Sequence, residues 1–267
     1  MTLDFGVDQP IVGMIHLDAL PGAPEFDGDR AAIREAMLRD ANRLEAGGVD
    51  GLMVENFGDA PFYADDVPKH VVASMATLVA DLRRAVDLPI GVNVLRNDAE
   101  AALSIAAAAD ASFVRVNVHT SARLTDQGIV TGKAAETVRL RDQLEADIAV
   151  LADVDVKHSA PLAERPLAEE VAELVERGHA DGVVASGAGT GHETDREHLE
   201  AVVSARDRFG SDAPVFVGSG VTRETIDEIL EVADGVIVGT DLKEGGETTA
   251  PVDVDRVREV VAAARDQ

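Results

Sequence analysis

Residues 50–56 of the chain read Asp-Gly-Leu-Met-Val-Glu-Asn, an Asp-Gly pair followed by a short apolar run that ends in polar residues. Short apolar runs bounded by turn residues are typical of buried strands. We expect the Asp-Gly pairs to supply the turn chemistry before such strands. The pattern recurs, with Ala replacing Gly once, in Asp110-Ala-Ser-Phe-Val-Arg-Val-Asn117, Asp181-Gly-Val-Val-Ala-Ser-Gly187 and Asp234-Gly-Val-Ile-Val-Gly-Thr240.

Four further apolar runs alternate with these, and three of them open with proline, which is tolerated at the first residue of a strand. They are Pro10-Ile-Val-Gly-Met-Ile-His16, Pro89-Ile-Gly-Val-Asn-Val94, Pro214-Val-Phe-Val-Gly-Ser-Gly220 and residues 148–158. Amphipathic helices are predicted between them, near 29–46, 67–86, 98–109, 133–145, 166–178, 194–208, 222–231 and 253–265. Asp98 and Thr222 are predicted N-caps, and Gly47-Gly48 ends the first helix.

Eight strands alternating with eight helices over about 250 residues are typical of a (β/α)₈ TIM barrel. A doubly wound α/β sheet is the alternative, but it rarely contains eight such regular units. No linker or low-complexity segment divides the chain, so we expect residues 1–267 to form a single domain.

The charge balance is strongly acidic, with 50 acidic residues against 24 basic ones and a net charge of −26. The hydrophobic fraction of 46% argues against disorder. Acidic, lysine-poor surfaces resemble those of halophilic proteins, whose salt shortens the Debye length to about 3 Å. Such a surface disfavours nucleic acid and anionic membranes as partners. The chain has no cysteine, no long apolar run and no signal-peptide pattern, so we expect a soluble cytoplasmic protein.

The run from Ile148 to His158 carries charges within an apolar strand. On a continuous strand Asp153, Asp155 and Lys157 would share one face. Buried charges cost several kcal/mol unless they are paired or used. A structural ion pair between Lys157 and one of the two carboxylates is one interpretation, and an active site at the strand end is the other.

Catalytic groups of a TIM barrel lie at the C-terminal ends of its strands. The chain places polar residues there on four more strands. Catalytic candidates are His16 and Glu55, and substrate-binding candidates are Asn56, Asn93, Arg115 and Asn117. Each has a structural alternative: His16 could donate to a carbonyl, Arg115 could be the counter-ion of Asp153 or Asp155, and the asparagines could be internal hydrogen-bond spacers. We expect Asp59 only to cap a turn.

The last three strands end instead in small residues, whose backbone amides can approach an anion. In TIM barrels the loops after strands seven and eight are the usual phosphate site. The predicted binding residues here are Gly187, Gly218, Ser219, Gly220, Gly239 and Thr240. Glycines also end strands for conformational reasons alone, and neither a Walker A motif nor a Rossmann fingerprint is present.

Several of these segments together resemble the BtpA/SgcQ family, over nearly the whole chain. The resemblance implies a barrel of the ribulose-phosphate-binding type. The family is named after a cyanobacterial factor needed for photosystem I biogenesis, and a bacterial relative is associated with sugar metabolism. The motifs are His16-Leu17 with Leu20-Pro21-Gly22, Val54-Glu-Asn-Phe-Gly-Asp-Ala-Pro-Phe62, Gly91-Val-Asn-Val-Leu-Arg-Asn-Asp98, Phe113-Val-Arg-Val-Asn117, Ala152-Asp153 with Val156-Lys157-His158, Gly218-Ser-Gly-Val221, and Val238-Gly-Thr240 with Leu242-Lys243.

Two functional hypotheses follow. The first is an enzyme for a phosphorylated sugar or nucleotide-like metabolite, with aldolase, isomerase or epimerase chemistry. In it Lys157 is a fixed charge beside an enolate-like anion rather than a nucleophile, and Asp153, Glu55 or His16 is the base. The residues are compatible with a divalent metal such as Mg²⁺ between Glu55 and Asp153, but no ligand spacing requires one. The second hypothesis is a non-catalytic assembly or regulatory protein on a barrel scaffold. Fold analogy predicts a homo-oligomer.

Overall fold

A closed barrel of eight parallel strands forms the centre of the protein, which confirms the predicted fold class. The computed structural model describes residues 3–154, 156, 158–186 and 196–265. Numbered along the chain, the barrel strands are β1 Ile11–His16, β2 Gly51–Glu55, β3 Ile90–Asn93, β4 Phe113–Val116, β7 Ala149–Asp153, β9 Gly182–Ala185, β10 Val215–Val217 and β11 Gly235–Val238. Each strand pairs with the next along the chain, and β11 pairs with β1 to close the barrel.

Within the described residues, eight α-helices alternate with the barrel strands, as predicted. They are α1 Arg30–Gly47, α2 Lys69–Ala85, α3 Ala99–Ala109, α4 Ala134–Gln143, α5 Leu167–Ala172, α6 Arg196–Arg208, α7 Ile226–Leu230 and α8 Val254–Arg265. Gly48 ends α1 with a φ of 94°, as the Gly-Gly pair indicated. The prediction for α7 was wrong at its start, because Thr222 opens a separate turn and its hydroxyl lies 3.2 Å from that of Thr225, so it does not cap the helix.

The repeated aspartates do more than precede strands: three of them bind the preceding barrel strand. Each bond runs from a strand amide to an aspartate carboxylate and is 2.8 Å long. The amide of Ile11 donates to Asp50, that of Val150 donates to Asp181, and that of Val215 donates to Asp234. Each carboxylate is also paired with an arginine: Asp50 with Arg265, Asp181 with Arg141 and Asp234 with Arg206. These bonds join neighbouring strands at the N-terminal end of the barrel.

The glycines that follow these aspartates do not form turns, so that expectation was wrong. Gly51, Gly182 and Gly235 are the first residues of their strands and have no positive φ. A Cβ atom at any of the three positions would lie 2.6 Å from a core side chain. The physical reason for glycine is therefore close packing inside the barrel rather than turn conformation.

Side chains fill the barrel interior near its N-terminal end. Phe5, from the segment before β1, packs edge-on against Phe113 with ring centroids 5.6 Å apart, and it also contacts Phe216 at 6.1 Å. These rings belong to an interior apolar cluster that is separate from the larger core between strands and helices. The N-terminal end is thus closed by aromatic packing, and polar groups concentrate at the other end.

The chain after β7 differs from the prediction. Among the described residues the strand ends at Asp153, so it is shorter than the predicted run to His158. Asp155 and Lys157 lie outside the described residues. A small antiparallel sheet was not predicted from the sequence. It consists of β5 Ala122–Thr125 and β6 Gly128–Thr131, which follow β4, and of β8 Ala160–Pro161, which follows β7. In the described part of the chain, no helix has the length and apolar character needed to cross a membrane.

Two N-caps of different burial allow a matched stability test. The carboxylate of Asp98 accepts the amides of Ala101 and Val67 at 2.8 Å, both in buried surroundings. We expect Asp98→Ala to lower the free energy of unfolding by about 2–4 kcal/mol, because it removes a cap and leaves the Val67 amide unpaired. The control Asp29→Ala removes the exposed cap of α1 and should cost only about 1 kcal/mol. Equal losses in urea denaturation would contradict this prediction.

Candidate active site

The C-terminal ends of the strands surround a cavity of ≈ 340 Å³. This volume lies near the lower end of the range for small-molecule sites. The residues lining it come from the C-terminal halves of seven of the barrel strands and from the loops that follow them. They include Met14, His16, Glu55, Phe57, Phe62, Leu95, Arg96, Arg115, Asn117, Asp153, His158, Gly218, Ser219, Gly220, Val221, Thr222, Ile237, Gly239, Thr240, Asp241, Gly246 and Thr248.

A buried ion pair forms one wall of the cavity. Arg115 donates from Nε to Oδ1 of Asp153 at 2.8 Å and from Nη2 to Oδ2 at 2.9 Å. Asn117 donates to the same Oδ2 at 3.1 Å. The side chains of Arg115 and Asp153 are only 8% and 2% exposed. The alternation of side chains along the chain explains the arrangement, because residues 115 and 117 share the inward face of the barrel with Phe113, and β7 is the neighbouring strand.

This geometry identifies the counter-ion of Arg115 as Asp153. Burial opposes the positive charge, but attraction to Asp153, the hydrogen bonds to that carboxylate and attraction to Glu55 together raise the pKa of Arg115. Within the described residues, Nη1 of Arg115 has no hydrogen-bond partner. Gly218 makes room for this guanidinium, since a Cβ atom there would lie 2.9 Å from Nη2. Arg115 is thus a structural partner of Asp153. It also lines the cavity and retains N–H donors that this pair does not use.

His16 and Glu55 lie together at the ends of β1 and β2. Nε2 of His16 is 3.8 Å from Oε1 of Glu55, and both side chains are about nine-tenths buried. Nδ1 of His16 is 3.2 Å from the carbonyl oxygen of Thr248. A carbonyl only accepts, so Nδ1 carries the proton in this contact, and Nε2 is directed toward the carboxylate. The pair can therefore exchange a proton with a ligand in the cavity.

Two of the predicted binding asparagines do not line the cavity. Oδ1 of Asn56 accepts the amide of Leu95 at 2.7 Å, and its Nδ2 donates to Asp59 at 3.1 Å. Asn93 donates to the carbonyl of Arg115 at 2.9 Å and to Asn117 at 3.3 Å. Both are 1% exposed. They hold the loops and side chains around the site, which is the spacer role considered as the alternative.

The carboxylate of Asp59 bonds the Leu20 amide at 2.8 Å as well as Asn56. Burial raises its pKa, and these hydrogen bonds act in the opposite direction. His119, which follows β4, is also outside the cavity: its Nε2 donates to the Gly178 carbonyl at 2.8 Å, and burial lowers its pKa. Both residues support the structure around the mouth of the barrel.

The loops after β10 and β11 form the opposite wall. Gly218, Ser219, Gly220, Gly239 and Thr240 all line the cavity, as does Thr222. Gly220 has a φ of 72°, which favours glycine. Among the described residues, the amides of Gly220 and Val221 have no intramolecular acceptor. The Asp241 carboxylate lies nearby, where it accepts from Arg256 at 2.6 Å and from the Arg223 amide at 3.0 Å.

Arg96 was quoted in the sequence motif after β3 but was not predicted as a site residue. It lines the cavity as a second guanidinium. Burial lowers its pKa, while the carboxylates of Asp153 and Glu55 favour its charged form. The signal was available, because Arg96 lies three residues beyond Asn93. Phe57, whose ring lies 4.9 Å from that of His16, was also not selected.

Three of the predictions are not resolved by this geometry. Lys157 and Gly187 lie outside the described residues. Within the described part of the chain, no group of three or more His, Asp or Glu side chains is arranged to hold a metal ion. A divalent metal between Glu55 and Asp153 therefore stays a prediction.

Solved structures with the same architecture include enzymes of phosphorylated metabolites. The protein superposes on a Mycobacterium tuberculosis tryptophan synthase with a TM-score of 0.61. The two chains are 19% identical, and the superposition covers 97% of this chain and 93% of that one. An N-(5'-phosphoribosyl)anthranilate isomerase from Pyrococcus furiosus gives 0.55 at 15% identity, covering 97% and 100%. At such identities the similarity concerns the fold alone.

Sequence comparison finds relatives of higher identity. The chain is 42% identical to the photosystem I biogenesis protein BtpA of Synechocystis, over 97% of this chain and 89% of that protein. It is 45% identical to an uncharacterised Thermococcus kodakarensis protein, over 97% and 96%. The model of the BtpA family matches residues 7–266. The chain therefore belongs to the BtpA family.

Proposed function

We propose that this protein is an enzyme acting on a phosphorylated sugar or a nucleotide-like metabolite. The observation that carries the proposal is the composition of one cavity. A His–Glu pair and two guanidiniums share it with two small-residue loops. A scaffold with no ligand does not require polar groups from seven strands to converge. Similar barrels among the solved structures include isomerases whose names specify phosphorylated compounds.

In this proposal the phosphate of the ligand lies against the loops after β10 and β11. The unpaired amides of Gly220 and Val221 donate to it, as backbone amides do at the same position in other TIM barrels. The carboxylate of Asp241 would repel an anion if it were unpaired. Its ion pair with Arg256 and its bond to the Arg223 amide offset that repulsion.

Proton transfer belongs to Glu55 and His16 rather than to Asp153. Both oxygens of Asp153 already accept from Arg115, and Oδ2 also accepts from Asn117. The carboxylate of Glu55 faces Nε2 of His16, so a proton removed from the substrate can pass between them. Arg96 and Arg115 lie in the same cavity and stabilise negative charge that develops on the substrate. Isomerisation, epimerisation and aldol cleavage all use such an arrangement.

A non-catalytic assembly role is the second candidate, and one observation favours it. The Synechocystis relative at 42% identity is named a photosystem I biogenesis protein. The two candidates make different demands on the cavity. Assembly needs only a folded surface. Catalysis needs a ligand at the strand ends, and its rate falls when Glu55 is replaced with an uncharged residue.

A thermal-shift screen tests the proposal directly. The probes are inorganic phosphate, ribose 5-phosphate and adenosine 5'-monophosphate, with unphosphorylated ribose as the control. A ligand at ten times its Kd stabilises the folded state by about 1.4 kcal/mol, which raises Tm by roughly 3–6 °C. We expect such a shift with a phosphorylated probe only. No shift with any phosphorylated probe at millimolar concentration would contradict the proposal.

Two glycines with similar backbone conformations give a matched test of the phosphate loop. Gly220 has a φ of 72° and lines the cavity, whereas Gly210 has a φ of 65° and open space around it. We expect Gly220→Asp to abolish the ligand-dependent shift, because a carboxylate would replace the phosphate at the loop. Gly210→Asp carries the same charge and backbone strain and should retain the full shift. Retention in both variants would place the phosphate elsewhere.

A further inference from the structure

We infer that the buried Asp40–Lys243 ion pair is a positioning device for His16, acting through the loop of residues 244–251. The pair lies outside the cavity, between α1 and the segment that follows β11. The inference concerns how His16 is held. Its consequence for proton transfer rests on the proposed function.

The pair clamps both ends of the loop. Nζ of Lys243, which precedes the loop, donates to Oδ2 of Asp40 at 3.1 Å. The amide of Val252, which follows the loop, donates to Oδ1 of the same carboxylate at 3.1 Å. Lys243 and Val252 also form an antiparallel bridge, which is the neck of the loop. One carboxylate therefore fixes the two ends of the loop against α1.

The clamp is unusual in its burial. Lys243 is 1% exposed and Asp40 is 7% exposed. Burial lowers the pKa of Lys243, while attraction to Asp40 acts in the opposite direction. Desolvation of both charges makes such a pair a weak source of net stability. The chain has only four lysines, so the placement of one here is better explained by geometry than by stability.

The loop returns to the cavity at Thr248. The carbonyl oxygen of Thr248 lies 3.2 Å from Nδ1 of His16, and its hydroxyl lies 2.8 Å from that of Thr240. Between the neck and this point the loop turns through Gly245 and Gly246, whose φ values are 65° and 69°. Because the two glycines give the backbone freedom, the position of the Thr248 carbonyl depends on how the neck is held.

The carbonyl fixes the protonation geometry of His16. It accepts a hydrogen bond from Nδ1–H of His16. Nε2 is therefore the atom that faces Glu55, at 3.8 Å. Without this acceptor the ring can rotate or adopt the other tautomer. Asp40 and Lys243 are thus positioning residues, which act on His16 through the Thr248 backbone.

Nitrogen-15 NMR of the histidine rings at a pH where they are neutral tests the inference without any ligand. His16→Gln identifies the His16 signals among those of the seven histidines. In the unmodified protein we expect His16 to be in the Nδ1–H form. In Asp40→Asn/Lys243→Met we expect it to shift toward the Nε2–H form. An unchanged tautomer in that folded double variant would overturn the inference.

A second ion pair, which is partly buried, provides the control. The carboxylate of Asp181 bonds Arg141 and the amide of Val150, which is the same combination of a basic side chain and a strand or loop amide. Arg141→Met/Asp181→Asn should lose comparable stability and leave the His16 tautomer unchanged. A shift of the same size in this control would assign the effect to general destabilisation and so contradict the inference.

A milder variant covers the case in which the double variant does not fold. Arg43 reaches the same neck from the exposed side, where it binds Glu244 at 3.0 Å and the Val252 carbonyl. We expect Arg43→Gln to fold and to shift the tautomer partially; no shift would count against the clamp. Failure of the phosphate screen with a normal tautomer shift would contradict the proposed function and leave the positioning role intact.

Discussion

Replacing Arg115 with methionine is expected to lower the free energy of unfolding by about 3–5 kcal/mol. The change would leave the carboxylate of Asp153, whose side chain is 2% exposed, without its bidentate partner. An uncompensated buried charge is among the most destabilising consequences of a single substitution. Urea denaturation at one fixed salt concentration measures the loss.

The double variant Arg115→Met/Asp153→Asn separates charge from packing. It removes both charges and keeps an acceptor for Asn117, so we expect it to recover most of the lost stability. If the double variant were as unstable as the single one, packing of the guanidinium against Gly218 would be the dominant contribution instead. A loss below about 1 kcal/mol in the single variant would show that water reaches Asp153.

Glu55→Gln is expected to reduce turnover by about 10²–10⁴-fold, the usual contribution of a positioned proton-transfer group. Glutamine keeps the size of the side chain but cannot accept a proton from the substrate. Binding should be almost unchanged, because the proposed phosphate site is formed by the loops after β10 and β11. Deuterium incorporation from D₂O into the bound sugar phosphate measures the loss, and the thermal shift measures the retained binding.

The matched control for this prediction is Glu25→Gln, which makes the same chemical change in a neighbouring hollow near Phe57 and Gly58. We expect it to retain full turnover. Wild-type exchange rates in Glu55→Gln would transfer the role of base to another group. Loss of ligand binding in that variant would instead make Glu55 a binding residue.

The fold could be read from the sequence because its signals are local. Seven of the eight predicted strands begin at a Pro or Asp and end in polar or small residues, and each helix repeats an apolar stripe. The physical role of the aspartates was not readable, because the bond from Asp50 to the Ile11 amide spans 39 residues. The small sheet of β5, β6 and β8 was missed for a similar reason: residues 122–131 carry little apolar alternation.

The site was predictable in outline and not in detail. Strand ends indicated His16, Glu55, Arg115 and Asp153, and the structure brings these four into one cavity. The strand pattern could not show that Asn56 and Asn93 turn away from the cavity to bond the backbone. Such assignments depend on which neighbours compete for each amide group, and those neighbours come from distant parts of the chain.

The aspartate bonds at the N-terminal end of the barrel also have a consequence for protein engineering. They fix the register of neighbouring strands on the side opposite the cavity, and none of their residues lines it. Loops at the mouth can therefore be exchanged or randomised, because the aspartate bonds at the N-terminal end of the barrel keep the strand order. The Arg115–Asp153 pair is the exception, since it spans β4 and β7 at the mouth itself, and a redesign library should keep it constant.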